Sequence, residues 1–174
     1  MMYLIEVFKR VNWRISMQKH PGEWNNEGIA FFMNEQYNEA LKCYDTALEI
    51  DPNFVQALNN KGNVLRILGR YDEALNSYDE AISLEKENIE LWVNKGAVYY
   101  EMEDFISAIK CYDHALVLDP ENTNALSNKG AALANSGDLK NGMECFNEAL
   151  EIDPLDVNAR INRDKLKDFL VGRD

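Results

Sequence analysis

Asn59-Asn60-Lys61-Gly62, Val93-Asn94-Lys95-Gly96 and Ser127-Asn128-Lys129-Gly130 recur 34 residues apart, and Asn25-Asn26-Glu27-Gly28 is a looser copy at the same spacing. Working outward, a small residue follows each glycine by twelve positions, at Ala40, Ala74, Ala108 and Gly142. Then come a ring, at Tyr44, Tyr78, Tyr112 and Phe146, and a second alanine, at Ala47, Ala81, Ala115 and Ala149. Three units close on Asp51-Pro52, Asp119-Pro120 and Asp153-Pro154, while Lys86 replaces the proline in the remaining one. Repetition at this period means one supersecondary unit stacked several times.

The pattern is that of two antiparallel helices pressed together. Glycine and alanine remove side chains where backbones approach, and Trp24, Leu58, Trp92 and Leu126 with the rings fill the space between neighbours. Proline cannot continue a helix, so each Asp-Pro ends a unit; Glu85-Lys86 should make the same bend with a less rigid turn. The periodicity predicts helices near 22–34, 37–50, 55–68, 71–84, 89–102, 105–118, 123–136 and 139–152. A ninth, near 157–171, carries Val157, Ile161, Leu166, Phe169 and Leu170 beside four basic residues, as expected of a terminal helix with one face on the array.

These residues resemble the tetratricopeptide repeat family in its archaeal and bacterial wording. The resemblance covers Pro21 to Asp156 in four repeats, about 21–54, 55–88, 89–122 and 123–156. It implies an all-α fold, a right-handed α-solenoid of four helix hairpins, with 157–174 as a C-terminal capping helix. Two departures stand out. Glu27, Lys61, Lys95 and Lys129 occupy a usual leucine position, which suggests aliphatic stems on the helix surface with solvated heads. Gly142 replaces alanine and is expected to loosen the last hairpin.

The chain has 174 residues, 46% hydrophobic and 28% charged, with a net charge of -12. That composition suits a folded domain and disfavours nucleic acid as a ligand. The charge is uneven: residues 1–20 carry +3, 21–154 carry -16 and 155–174 carry +1. In residues 1–20, Leu4, Val7, Phe8, Val11 and Ile15 fall on one helical stripe, while Val11, Trp13, Ile15 and Met17 also alternate like a strand. A helix docked on the first repeat, a membrane-surface helix, and self-association or occupation of the protein's own groove remain open. No apolar run approaches a membrane span, and a cytoplasmic location is expected.

Cys43, Cys111 and Cys145 sit at whole multiples of the repeat, and Ser77 takes the equivalent place, so all four read as packing residues. His20 and His114 are too separated for a dyad, and no phosphate loop or Cys-x-x-Cys pattern appears. The expectation is a non-catalytic protein with no cofactor and no metal. The resemblance places first-helix residues on a concave face. Those singled out for peptide binding are Asn26, Asn60, Asn94 and Asn128, with Asn59, Asn63, Arg66, Phe32, Ile67, Tyr100, Glu90 and Glu101.

The four asparagines resemble the ladder by which the repeats of O-linked N-acetylglucosamine transferase hold peptide backbones; as common family consensus, they could equally be solvated or brace helices. A ladder of three steps, about 10 Å each, would span roughly nine extended residues. The carboxylate clamp of chaperone-tail binders needs Lys or Arg where this chain has Asn25, Ile29, Asn60, Glu90 and Asn94. The reading is therefore an interaction scaffold for an extended, neutral to basic protein segment. Its alternative is a homo-oligomeric assembly module that uses the repeat ends or the N-terminal segment.

Overall fold

The computed structural model describes residues 19–172. The expectations for residues 1–18 lie outside them. The chain divides into two compact units, one ending at Glu85 and the other beginning at Lys86. In the first, α1 (Pro21–Met33) pairs with α2 (Tyr37–Ile50), and α3 (Val55–Ile67) with α4 (Tyr71–Leu84). In the second, α5 (Ile89–Glu101) pairs with α6 (Phe105–Leu118) and α7 (Thr123–Asn135) with α8 (Leu139–Ile152); α9 (Val157–Val171) packs on α8 and more lightly on α7. Among the described residues the nine helices fall within a residue of the predicted bounds, and each unit is a stretch of all-α solenoid.

Every hairpin closes on the same contact. A Cβ built at Gly28, Gly62, Gly96 or Gly130 would lie 2.5–2.7 Å from the ring of Tyr44, Tyr78, Tyr112 or Phe146, so only glycine admits the ring. Those four rings are at most 1% exposed. At Gly142 the structure corrects the expectation of a looser hairpin. A Cβ there would meet the carbonyl oxygen of Gly130 at 2.9 Å and the amide of Ala134 at 3.1 Å. The absent methyl lets α7 and α8 approach more closely.

The turns are also built alike. Glu35, Gly69, Glu103 and Gly137 have φ of 59, 71, 60 and 97°. In each, the next amide reaches back to the carbonyl five residues earlier, as Gln36 does to Phe31 and Asp138 to Leu133, both at 2.9 Å. Glutamate in this left-handed region carries a steric cost of about 1–2 kcal/mol that glycine does not. The proline-free bend behaves as expected: Glu85 has φ -128 and ψ 78°, near the -134 and 96° of Asp51.

Cys43, Cys111 and Cys145 are buried thiols. Burial pushes the Cys43 and Cys145 thiols above their ordinary value. Ser77 is equally buried and donates its hydroxyl to the Glu73 carbonyl at 3.0 Å, which satisfies it in the cysteine's place. The lysine heads are not simply solvated: Lys61 meets Asp45, and Lys129 meets Asp113, each at 2.7 Å. These pairs join one hairpin's second helix to the next hairpin's first.

The terminal helix also departs from expectation. Ala159 and Leu166 are its buried residues, whereas Val157, Ile161, Phe169 and Leu170 are 59, 47, 48 and 39% exposed. The cause is register. Val157 to Val171 lies 34 residues beyond α7, in the place of a first helix, but Asp164 stands where the other hairpins have glycine. No second helix can close on it as α8 closes on α7.

Candidate functional site

First helices line one face of each unit, α1 and α3 in one, α5, α7 and α9 in the other. The sequence-predicted residues divide accordingly. Asn26, Phe32, Asn59, Asn60, Asn63, Arg66 and Ile67 belong to the first unit; Glu90, Asn94, Tyr100, Glu101 and Asn128 belong to the second.

In the first unit most of these amides are engaged. Asn60 donates its amide to the side-chain oxygen of Asn25 at 2.9 Å, and Asn25 is only 6% exposed. Asn63 accepts from the Tyr78 hydroxyl at 2.8 Å, tying the face to the hairpin ring behind it. Arg66 and Asn59 are half-buried, Ile67 is exposed, and Phe32 packs its ring 5.9 Å from that of Tyr37. Asn26 is exposed and its side chain makes no hydrogen bond within the described residues. One rung of the supposed ladder thus braces α3 against α1, and the rung before it faces solvent.

In the second unit, Asn128 is half-buried with its side chain likewise unengaged, and Asn94 is half-buried. Glu90 and Glu101 lie on the exposed surface. Tyr100 stacks edge-on against Phe105, ring centroids 5.6 Å apart, and its hydroxyl accepts from the Asn135 amide at 2.6 Å. Beside this pair opens a cleft of about 390 Å³ between α7 and α9. Its floor is apolar, with Ala134, Phe146, Leu166 and Phe169; Asn162 and Lys165 reach it from α9. Sequence reading missed Asn162, although it lies 34 residues beyond Asn128, because Arg163-Asp164 follows it in place of Lys-Gly.

The remaining chemistry-bearing residues have structural roles. His114 stacks on Trp92 with centroids 4.5 Å apart, and His20 caps α1 through Gly22 at 3.3 Å. Among the described residues no three His, Cys, Asp or Glu side chains are grouped to hold a metal ion, and no helix is long and apolar enough to cross a membrane.

Comparison with known proteins agrees with this geometry. The description "Tetratricopeptide repeat" matches residues 22–54, 43–76, 89–122 and 123–154, and "TPR repeat" matches 62–103. The chain belongs to the tetratricopeptide repeat family, whose fold is typically a non-catalytic protein-interaction scaffold. Among solved structures it is similar to pilF of Pseudomonas aeruginosa, at 20% identity and a TM-score of 0.76, covering 84% of this chain and 67% of that one. It is similar to YrrB, described as a TPR protein with an unusual peptide-binding site, at 27% identity and 0.67, covering 87% and 78%. A third is the first TPR of Spaghetti bound to an HSP90 peptide, at 26% identity and 0.63, covering 67% and 93%. No curated protein sequence matches the chain.

Proposed function

We propose that the chain is a non-catalytic, cytoplasmic scaffold whose first-helix faces hold an extended, neutral to basic segment of another protein. The observation that carries this reading is the pair of ladder asparagines, Asn26 and Asn128, whose amides are not engaged by the described residues. An amide offers both a donor and an acceptor without charge, which suits a peptide main chain. YrrB and Spaghetti, both above a quarter identical, carry peptide-binding descriptions and lend support. Three thiols in an uncrosslinked state fit a reducing compartment. The charge of -12 repels phosphate and acidic segments and attracts basic ones.

The test is affinity capture of a partner, mapping of its bound segment, and calorimetric titration of Asn26→Ala with Asn128→Ala. Each amide contact contributes on the order of 1 kcal/mol, so the double variant should bind about tenfold more weakly or worse with its helical content intact. Unchanged affinity rejects the ladder. The alternative, a homo-oligomeric assembly module, draws on the exposed Val157, Ile161 and Phe169 of α9. Sedimentation across a concentration range tests it: growth in mass with concentration, lost on Ile161→Glu, would favour assembly.

A further inference from the structure

The cleft between α7 and α9 differs chemically from the rest of this acidic protein. Of its lining residues none is a carboxylate and one, Lys165, is a cation. Lys165 and Asn162 make no ion pair or side-chain hydrogen bond with the described residues. The Tyr100 hydroxyl already accepts from Asn135 at 2.6 Å, so its own hydrogen is available to a group in the cleft, and a chain of bonds of this kind strengthens the outer donor. An ammonium, a hydroxyl and an amide therefore border an apolar floor formed by Phe146 and Leu166. Donors without a resident acceptor call for an anion, and the floor calls for a large apolar side chain.

We propose that this cleft captures the C-terminal residue of a partner polypeptide, its apolar side chain on the floor and its free carboxylate on Lys165, Tyr100 and Asn162. A terminal residue carries both features on one Cα. An internal acidic residue would need a second residue to fill the floor and room for the chain to leave in both directions. At about 390 Å³ the cleft lies near the small end of ligand sites, roughly 300–1,000 Å³. Capture of a terminal carboxylate is a recurring mode of peptide recognition. The site is separate from the clamp positions Asn25, Ile29, Asn60, Glu90 and Asn94, which lack cations. This inference rests on the peptide-binding reading of the first-helix faces and adds an anchor that would fix the direction of the bound segment on the second unit.

The test is a titration of the ¹⁵N-labelled full chain, followed by NMR, with three N-acetylated pentapeptides. These are Ala-Lys-Ala-Ala-Phe as the free acid, the same peptide as its amide, and Ala-Lys-Ala-Ala-Gly as the free acid. The Phe acid should move the resonances of Tyr100, Asn135 and Asn162 and bind about tenfold tighter than either comparison peptide. Lys165→Glu, a change at an exposed side chain, should remove the preference for acid over amide, and Ala134→Trp should fill the floor and abolish the shifts. Equal binding of acid and amide overturns the proposal. If resonances of Asn26 or Asn128 respond equally to all three peptides while the cleft is silent, the cleft inference falls and the scaffold reading stands. If neither the cleft nor those asparagines respond to any peptide, both fall.

Discussion

The two units begin their helices differently. In the second, Asp104, Asn122, Asp138 and Asp156 each accept a backbone N–H of the first turn, at 2.9–3.2 Å. In the first, Gln36, Phe54 and Arg70 occupy the same positions and supply no such bond; only His20 caps. A missing cap costs about 1 kcal/mol, yet the helices have the same lengths in both units. The gly–aromatic contact and the Schellman turns are common to both, so these set the hairpin, and capping is a local increment added where the sequence supplies it. The first unit has a different tie, the buried Asn25–Asn60 bond, where the second has the more exposed Tyr100–Asn135 pair.

Removing those ties should separate the units most. Asn60→Ala leaves the Asn25 oxygen buried without its donor and should cost about 2 kcal/mol, whereas Asn135→Ala, at an exposed pair, should cost under about 0.5 kcal/mol. Chemical denaturation measures both, and equal losses would dissolve the distinction. Gly142→Ala should destabilise by about 1–2 kcal/mol despite alanine's better helix propensity, because its methyl meets the Gly130 carbonyl; that is a fall of several degrees in Tm. A rise in Tm would restore the loose-hairpin expectation.

Transplanting caps sharpens the comparison at a smaller scale. Asp104→Ala should lose about 1 kcal/mol, and Gln36→Asp should gain about half of that in the unit that lacks caps. Hydrogen bonds from the Ser107 side chain and then its backbone N–H hold the Asp104 carboxyl below its ordinary value. Its contribution is therefore complete above the unfolded carboxylate range and is lost as pH falls through the lower folded value. Acid titration followed by circular dichroism should be shallower for Asp104→Ala. Smallest of all, Lys61→Met and Lys129→Met should each shift stability by under about 1 kcal/mol, and the wild-type margin over them should shrink at high salt.

The helix boundaries were legible because glycine, ring and proline each mark a fixed point in the 34-residue period. The site was legible only as a set of positions. Asn26 and Asn60 are indistinguishable in sequence, but Asn60 finds the oxygen of Asn25 across the helix pair while Asn26 has no preceding hairpin to meet. The cleft was invisible because it depends on α9 approaching α7 without a second helix behind it. Asp164 was the available signal, an acid at the place of Gly130. The apolar pattern of α9 misled for the same reason: five apolar positions were assigned to a face that the partnerless helix leaves largely in water.

The contact that closes each hairpin joins residues only 16 apart, Gly28 to Tyr44, Gly62 to Tyr78, Gly96 to Tyr112 and Gly130 to Phe146. Closing so short a loop loses little chain entropy, and every hairpin can do it without waiting for another. Chains dominated by such local pairings fold in microseconds to milliseconds, and repeat arrays can nucleate at any unit. Four equivalent nuclei in one chain mean that slowing any one, as Gly62→Ala would, leaves three others from which ordered structure can grow.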